Sequence, residues 1–243
     1  MILTYDGTIN GFLTCIYYCY YEKLEPKAIT CNNVQVSFDV QLKNITTEND
    51  KAEKVKKAVI QNGESFLNIE YAFSSYKDYK DLIIYNYLGM LFKYKSRLAG
   101  MLNNGDVIAF HSICYEVTRE CQRIAGFLRF NETVDGIYYA KIEPDNNIVK
   151  FIMPHFVSRF GNQKFLIHDV KRNIVGIYDT VKSAVFKNNK KLDIHLSSNE
   201  EYIQSMFKTY YKTIAIKSRK NKKLMLGFMP HRYHKNMLET FEK

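Results

Sequence analysis

His168-Asp169, followed by Lys171-Arg172, places an imidazole, a carboxylate and two cations within five residues. Such a set suits proton transfer or phosphate binding. The flanking residues alternate as in a strand, so His168 and Asp169 point to opposite faces and cannot act jointly as a base and its orienter. Glu143-Pro144-Asp145 closes another strand-like stretch, where carboxylates suit a metal or a proton relay; Asp145 better suits the cap of the helix that follows. On that helix His155 and Arg159 stand four apart and share a face, as a phosphate-binding pair or as an ordinary surface pair. For an enzyme, these groups define a site in the second half of the chain. His155, Arg159, His168 or Asp169, and Arg172 would border one cleft, closed by Tyr5 and Asp6.

The C-terminal stretch offers different chemistry. Between Thr213 and Asn236 lie Lys217, Arg219, Lys220, Lys222, Lys223, Arg232 and Lys235, with no acid. Tyr210, Tyr211, Phe228, His231, Tyr233 and His234 adjoin or interrupt this run. Cations track phosphates and aromatic faces stack unpaired bases, with Tyr233 as a candidate stacking residue. A solvated lysine-rich surface is the competing reading. In total, 35 Lys and Arg against 25 Asp and Glu give a net charge of +10, which favours a polyanionic partner, DNA before an anionic membrane.

The cysteines (Cys15, Cys19, Cys31, Cys114, Cys121) are odd in number and match no zinc spacing, so no residue is assigned as a metal ligand, and the sequence leaves metal use and cofactor open. Cys15 and Cys19 stand one helical turn apart without a third cysteine nearby, which fits buried thiols better than iron–sulfur ligands. Unpaired cysteines fit a reducing cytoplasm. No apolar run is long enough to span a bilayer, and the N-terminus lacks a signal-peptide pattern. Walker, zinc-protease, nucleophile-elbow and dinucleotide-binding patterns are absent, which sets aside the common nucleotide-hydrolysing and redox classes.

The elements that must position these residues are legible from periodicity. A short strand ends at Asp6-Gly7, and Ile9, Phe12, Leu13, Ile16, Tyr17 and Tyr20 then recur as a helix. Residues 34–42 alternate as a strand. Thr47-Glu48-Asn49-Asp50 reads as a capping box opening a helix to Gln61. Helical patterns follow at 64–74, 78–98 and 105–121. Strands are expected at 124–131 and 137–143 around the hairpin signal Asp135-Gly136, then at 164–170, 173–178 and 184–187. Between them, 147–160 is helical, with a kink or break at Pro154. Ser197 and Ser198 precede Glu200 and Glu201 at capping-box spacing and open a last long helix. The order predicts an α+β protein: a helical first half, antiparallel strand pairs in the second half, and C-terminal helices. Residues 1–243 read as one compact unit, with a candidate subdivision near residue 123.

Across nearly its whole length the chain resembles a bacterial family of unknown biochemical activity associated with DNA metabolism and repair. The resemblance rests on Tyr5-Asp6-Gly7 with Gly11-Phe12, on Glu120 and Arg123 before Gly126-Phe127-Leu128-Arg129-Phe130, and on Tyr138-Tyr139-Ala140. Glu143-Pro144-Asp145, His155-Phe156, Arg159-Phe160, Ile167-His168-Asp169 with Arg172, Tyr178-Asp179, Asn221 and Met229-Pro230 with Arg232-Tyr233 complete it. The family pattern has His where this chain has Gln122, and Trp at Phe165 and His234. The resemblance implies a companion radical S-adenosylmethionine protein, and a related domain fused to uracil-DNA glycosylase-like domains. Three functions stay open: an accessory factor that binds DNA, single strands included, for a partner enzyme; an enzyme on DNA or nucleotides using Glu143, Asp145, His155 or His168; and a protein-interaction module without affinity for nucleic acid.

Overall fold

A computed structural model describes residues 1–31, 41–190, 192–219, 221–228 and 233. The chain divides into two compact units, Met1–Thr118 and Arg119–Lys243, a boundary five residues before the subdivision read near 123. It falls inside a single long helix.

The first unit begins with β1 (Ile2–Thr4), α1 (Ile9–Tyr21), β2 (Ala28–Thr30) and β3 (Leu42–Asn44). The strands form a parallel sheet in the order β2-β1-β3. Most of the strand expected at 34–42 lies outside the described residues. Then follow α2 (Asn49–Gln61), α3 (Phe66–Phe73), α4 (Lys80–Tyr94) with a 3-10 turn at Lys95–Gly100, and α5 (Gly105–Phe127). Leu3, Phe12, Leu13, Ile16, Val59, Ile69, Ile84, Leu88 and Phe110 are sealed in one apolar cluster. Phe12, Leu13 and Ile16 on α1 and Ile84 and Leu88 on α4 recur at helical spacing, which is why those helices turn these faces inward.

The Tyr5-Asp6-Gly7 segment holds the entry to α1. Asp6 accepts from the Thr8 amide at 2.9 Å, the Thr8 hydroxyl at 2.7 Å and the Thr47 hydroxyl at 2.7 Å. Burial opposes its ionisation, but these donors outweigh it and hold the carboxyl below the usual carboxylate range. Thr47 therefore does not close the capping box expected for α2; Glu48 is the N-cap and makes no side-chain cap bond. Gly11 is required here, because a Cβ would stand 2.3 Å from Asp6 Oδ1.

In the second unit, β4 (Asn131–Glu132), β5 (Tyr138–Ile142), β6 (Phe165–Asp169), β7 (Ile174–Tyr178) and β8 (Ser183–Lys187) form a sheet in chain order. Three of its pairs are antiparallel, but β5 and β6 run parallel, because α6 (Val149–Arg159) carries the chain back between them. Residues 124–127, expected to be strand, continue α5 instead: Leu128 N–H still donates to Ile124 O at 2.8 Å, and the buried Ile124 extends the apolar stripe of the helix. Pro154 sits inside a single helix and does not split it. α6 packs so closely on β7 that a Cβ at Gly176 would meet Met153 Sδ at 2.5 Å. Phe130, Phe156, Phe160 and Phe165 cluster under it, with ring centroids 4.8–6.5 Å apart. α7 (Ser198–Ile214), a 3-10 turn at Lys217–Arg219 and α8 (Lys222–Phe228) follow. Among the described residues, no helix is long and apolar enough to cross a membrane.

Candidate nucleic-acid interface

The carboxylates and cations singled out in the sequence gather at the loop after β5, where they bind one another. Arg172 donates to the carbonyls of Pro144 (3.0 Å) and Asp145, and to the fully buried Asp169 at 2.9 Å. From the other side, the buried Glu120 accepts the amides of Asp145 (2.9 Å) and Asn146 (2.8 Å), the Asn146 side chain (2.7 Å) and the Tyr233 hydroxyl (2.6 Å). Arg172 thus holds the carbonyls of this loop and Glu120 its amides. Asp145 is not the cap expected for α6; Ile148 holds that position. Glu143 stands half-buried, 3.8 Å from Lys141.

The other candidate catalytic residues lie elsewhere. Gly176, which faces α6, pairs with Ile167, so His168 and its partner Val175 belong to the opposite sheet face. There His168 Nδ1 stands 3.1 Å from the Tyr139 hydroxyl. Burial, helped by the charge of Lys141, pulls the imidazole below its ordinary value against Asn173 and Asp169, and so favours the neutral ring. His155 and Arg159 are exposed on α6, on the other side of the sheet from His168. The single cleft expected for these groups is therefore not formed within this unit. Tyr5 is buried in the first unit and donates to Asp81 at 2.8 Å. Among the described residues, no three His, Cys, Asp or Glu side chains gather as a metal set. Cys15, Cys19, Cys114 and Cys121 are thiols pushed up to about 12 by burial.

The basic segment is different in kind. Arg219 and Lys223 are exposed, and the surface extends further back than the sequence suggested, to Lys208 and Lys212 on α7. From Tyr202 to Leu238 there is no acid at all. Lys208 and Lys212 lie one turn apart on one face, and Tyr202, Tyr210 and Tyr211 are 68%, 60% and 42% exposed. Asn221 caps α8, accepting from the Leu224 amide at 3.0 Å. The side chains of Lys217 and Lys222, and residues Lys220, Arg232 and Lys235, lie outside what the structure describes. Tyr233 overturns its expected role: it is 4% exposed and tied to Glu120, so it has no face to offer a base.

Several residues singled out in the sequence take contacts that the sequence did not announce. Ser197 is the N-cap of α7 but makes no side-chain cap bond. Glu200 reaches back to the β4 edge instead, accepting from the Glu132 amide at 3.0 Å and from Gln204 at 2.9 Å. Arg129 lies over the Phe207 ring at 5.8 Å, and Arg123 is half-buried. Glu200 carried a signal, an acid one turn inside a helix, but nothing local announced the strand it would meet.

Sheet order, the helix on one sheet face and the exposed basic helix define an α+β protein whose second unit combines a sealed polar loop clamp with an open cationic surface. A model of a domain of unknown function, DUF4130, matches residues 78–239, and the chain belongs to that family. No curated protein matches it.

Proposed function

We propose that this chain is a nucleic-acid-binding protein of DNA metabolism or repair that holds single-stranded DNA for a partner enzyme. The observation that carries this reading is the exposed face of α7 to α8. There Lys208, Arg219 and Lys223 are exposed and make no ion pair among the described residues, and the exposed Tyr211 lies on the side of α7 that carries Lys208. Folding gives no reason to gather cations where Glu201 is the one acid lining the groove of Lys208 and Lys212, or to leave tyrosine rings in water. A strand of phosphates and unpaired bases satisfies both. The family resemblance supplies the DNA context and a radical S-adenosylmethionine protein as the candidate partner. Turnover is not part of the proposal, because Glu120, Asp169 and Arg172 already bind a loop of their own chain. Fluorescence anisotropy with labelled single-stranded and duplex DNA tests it. Binding with Kd of roughly 10⁻⁶–10⁻⁴ M at physiological salt, tighter for single strands, is expected. No binding even at low salt overturns it in favour of a protein-interaction module.

A further inference from the structure

We propose that the cavity between β4, β5 and the first half of α7 takes one unpaired guanine base. This rests on the nucleic-acid reading above and deepens it. The cavity encloses ≈ 200 Å³ and is lined by, among others, Arg129, Phe130, Tyr138, Glu200, Gln204 and Phe207. That is roughly seven waters at about 30 Å³ each, below the ~300 Å³ at which drug-sized sites begin. A single flat bicycle fits this scale, and three of the wall residues are aromatic.

Polar groups narrow the choice of base. Glu200 is only 5% exposed, and each of its oxygens accepts one donor, from the Glu132 amide and from Gln204. A carboxylate has about four lone-pair sites, so each oxygen keeps one for a ligand. Guanine presents two neighbouring donors, N1–H and the exocyclic amine, and no other DNA base does so. In the same wall the Arg129 guanidinium, which lies over the Phe207 ring and donates to the Leu128 carbonyl at 3.4 Å, sets cationic donors near the O6 and N7 acceptors of the same base. The bonds from Glu200 to β4 and Gln204 also fasten α7 to the sheet, but fastening alone requires no aromatic-walled cavity beside them. Position supports the match as well. Phe207 precedes Lys208 and Tyr211 on α7, about 6 Å of helix rise from the second, so a strand lying along the basic face passes the cavity mouth.

The test is anisotropy with a labelled oligothymidylate, with the same strand carrying one central guanine, and with hypoxanthine in that place. For the wild-type protein the guanine strand should bind at least about fivefold tighter than oligothymidylate, and hypoxanthine, which lacks the amine, should lose part of that gain. Phe207→Ala should erase the guanine gain and leave oligothymidylate affinity within about twofold. Lys208→Gln with Lys223→Gln should weaken all three strands and keep their ratios. Equal wild-type affinity for the three strands overturns the guanine pocket and leaves the binding surface standing. Absence of binding to any strand overturns the nucleic-acid reading, and guanosine monophosphate then decides the pocket. A rise in Tm with wild type, absent in Phe207→Ala, supports it; no rise in either overturns it.

Discussion

Removing the Glu120 side chain tests whether the loop clamp is structural. The carboxylate accepts four donors at 2.6–2.9 Å, and the Asn146 amide and side chain among them are buried. A buried donor left without an acceptor costs about 1–3 kcal/mol. With two such donors stranded on Asn146, Glu120→Ala should destabilise the protein by about 2–5 kcal/mol. Tyr233→Phe keeps the ring and removes one charge-assisted bond, so it should cost about 1.5–3 kcal/mol. In urea denaturation the two should be non-additive, since one bond is common to both. Hydrogen exchange at the Asn146 amide should accelerate in Glu120→Ala. A cost below ~1 kcal/mol for that variant, or full additivity with Tyr233→Phe, refutes the clamp.

Three further outcomes follow from the geometry. Burial raises the Asp81 pKa against the opposing effects of Tyr5 and Lys80, so the folded protein keeps that proton to higher pH than the unfolded chain. Stability is then lost as pH rises from the ordinary carboxylate value of ~4, and Asp81→Asn should gain on the wild type across that window; a difference flat with pH in urea denaturation contradicts it. Gly176→Ala should cost about 1–3 kcal/mol by forcing Met153 aside, and Met153→Ala in the same chain should recover part of it; thermal melts giving strictly additive losses would refute the close approach. In the native protein Cys31, which is exposed, should react first with iodoacetamide, while Cys15 and Cys19 stay protected until unfolding releases five thiols. Early labelling of Cys15 would show that α1 is not sealed.

Much of the fold is written in local periodicity. The strands 164–170, 173–178 and 184–187 match β6, β7 and β8 within a residue or so, because alternation and turn residues are local signals. Where the sequence misled, a distant partner had intervened. Thr47 looks like a cap, yet its hydroxyl is taken by Asp6, forty-one residues earlier. Residues 124–127 include Ile124 and Phe127, types common in strands, but Ile124 continues the helical stripe of α5. Tyr233 belongs to a basic, aromatic run that looks wet, and only Glu120, 113 residues away, draws it inside. Of the candidate site, the charge of the tail was legible because it depends on composition. The consumption of Arg172 and Asp169 by a neighbouring loop was not, since it depends on which backbone groups the fold brings to them.

The most direct test of nucleic-acid binding is the salt dependence of single-strand affinity for the wild type and for a variant with Lys208, Arg219 and Lys223 replaced by Gln. For every cation that no longer neutralises a phosphate, the slope of log affinity against log salt should fall by about 0.7. The variant should fold normally, bind every single strand more weakly, and show a slope shallower by about one to two units. A well-folded variant with unchanged affinity and slope would contradict the account, leaving the cations of α7 and α8 as a solvated surface.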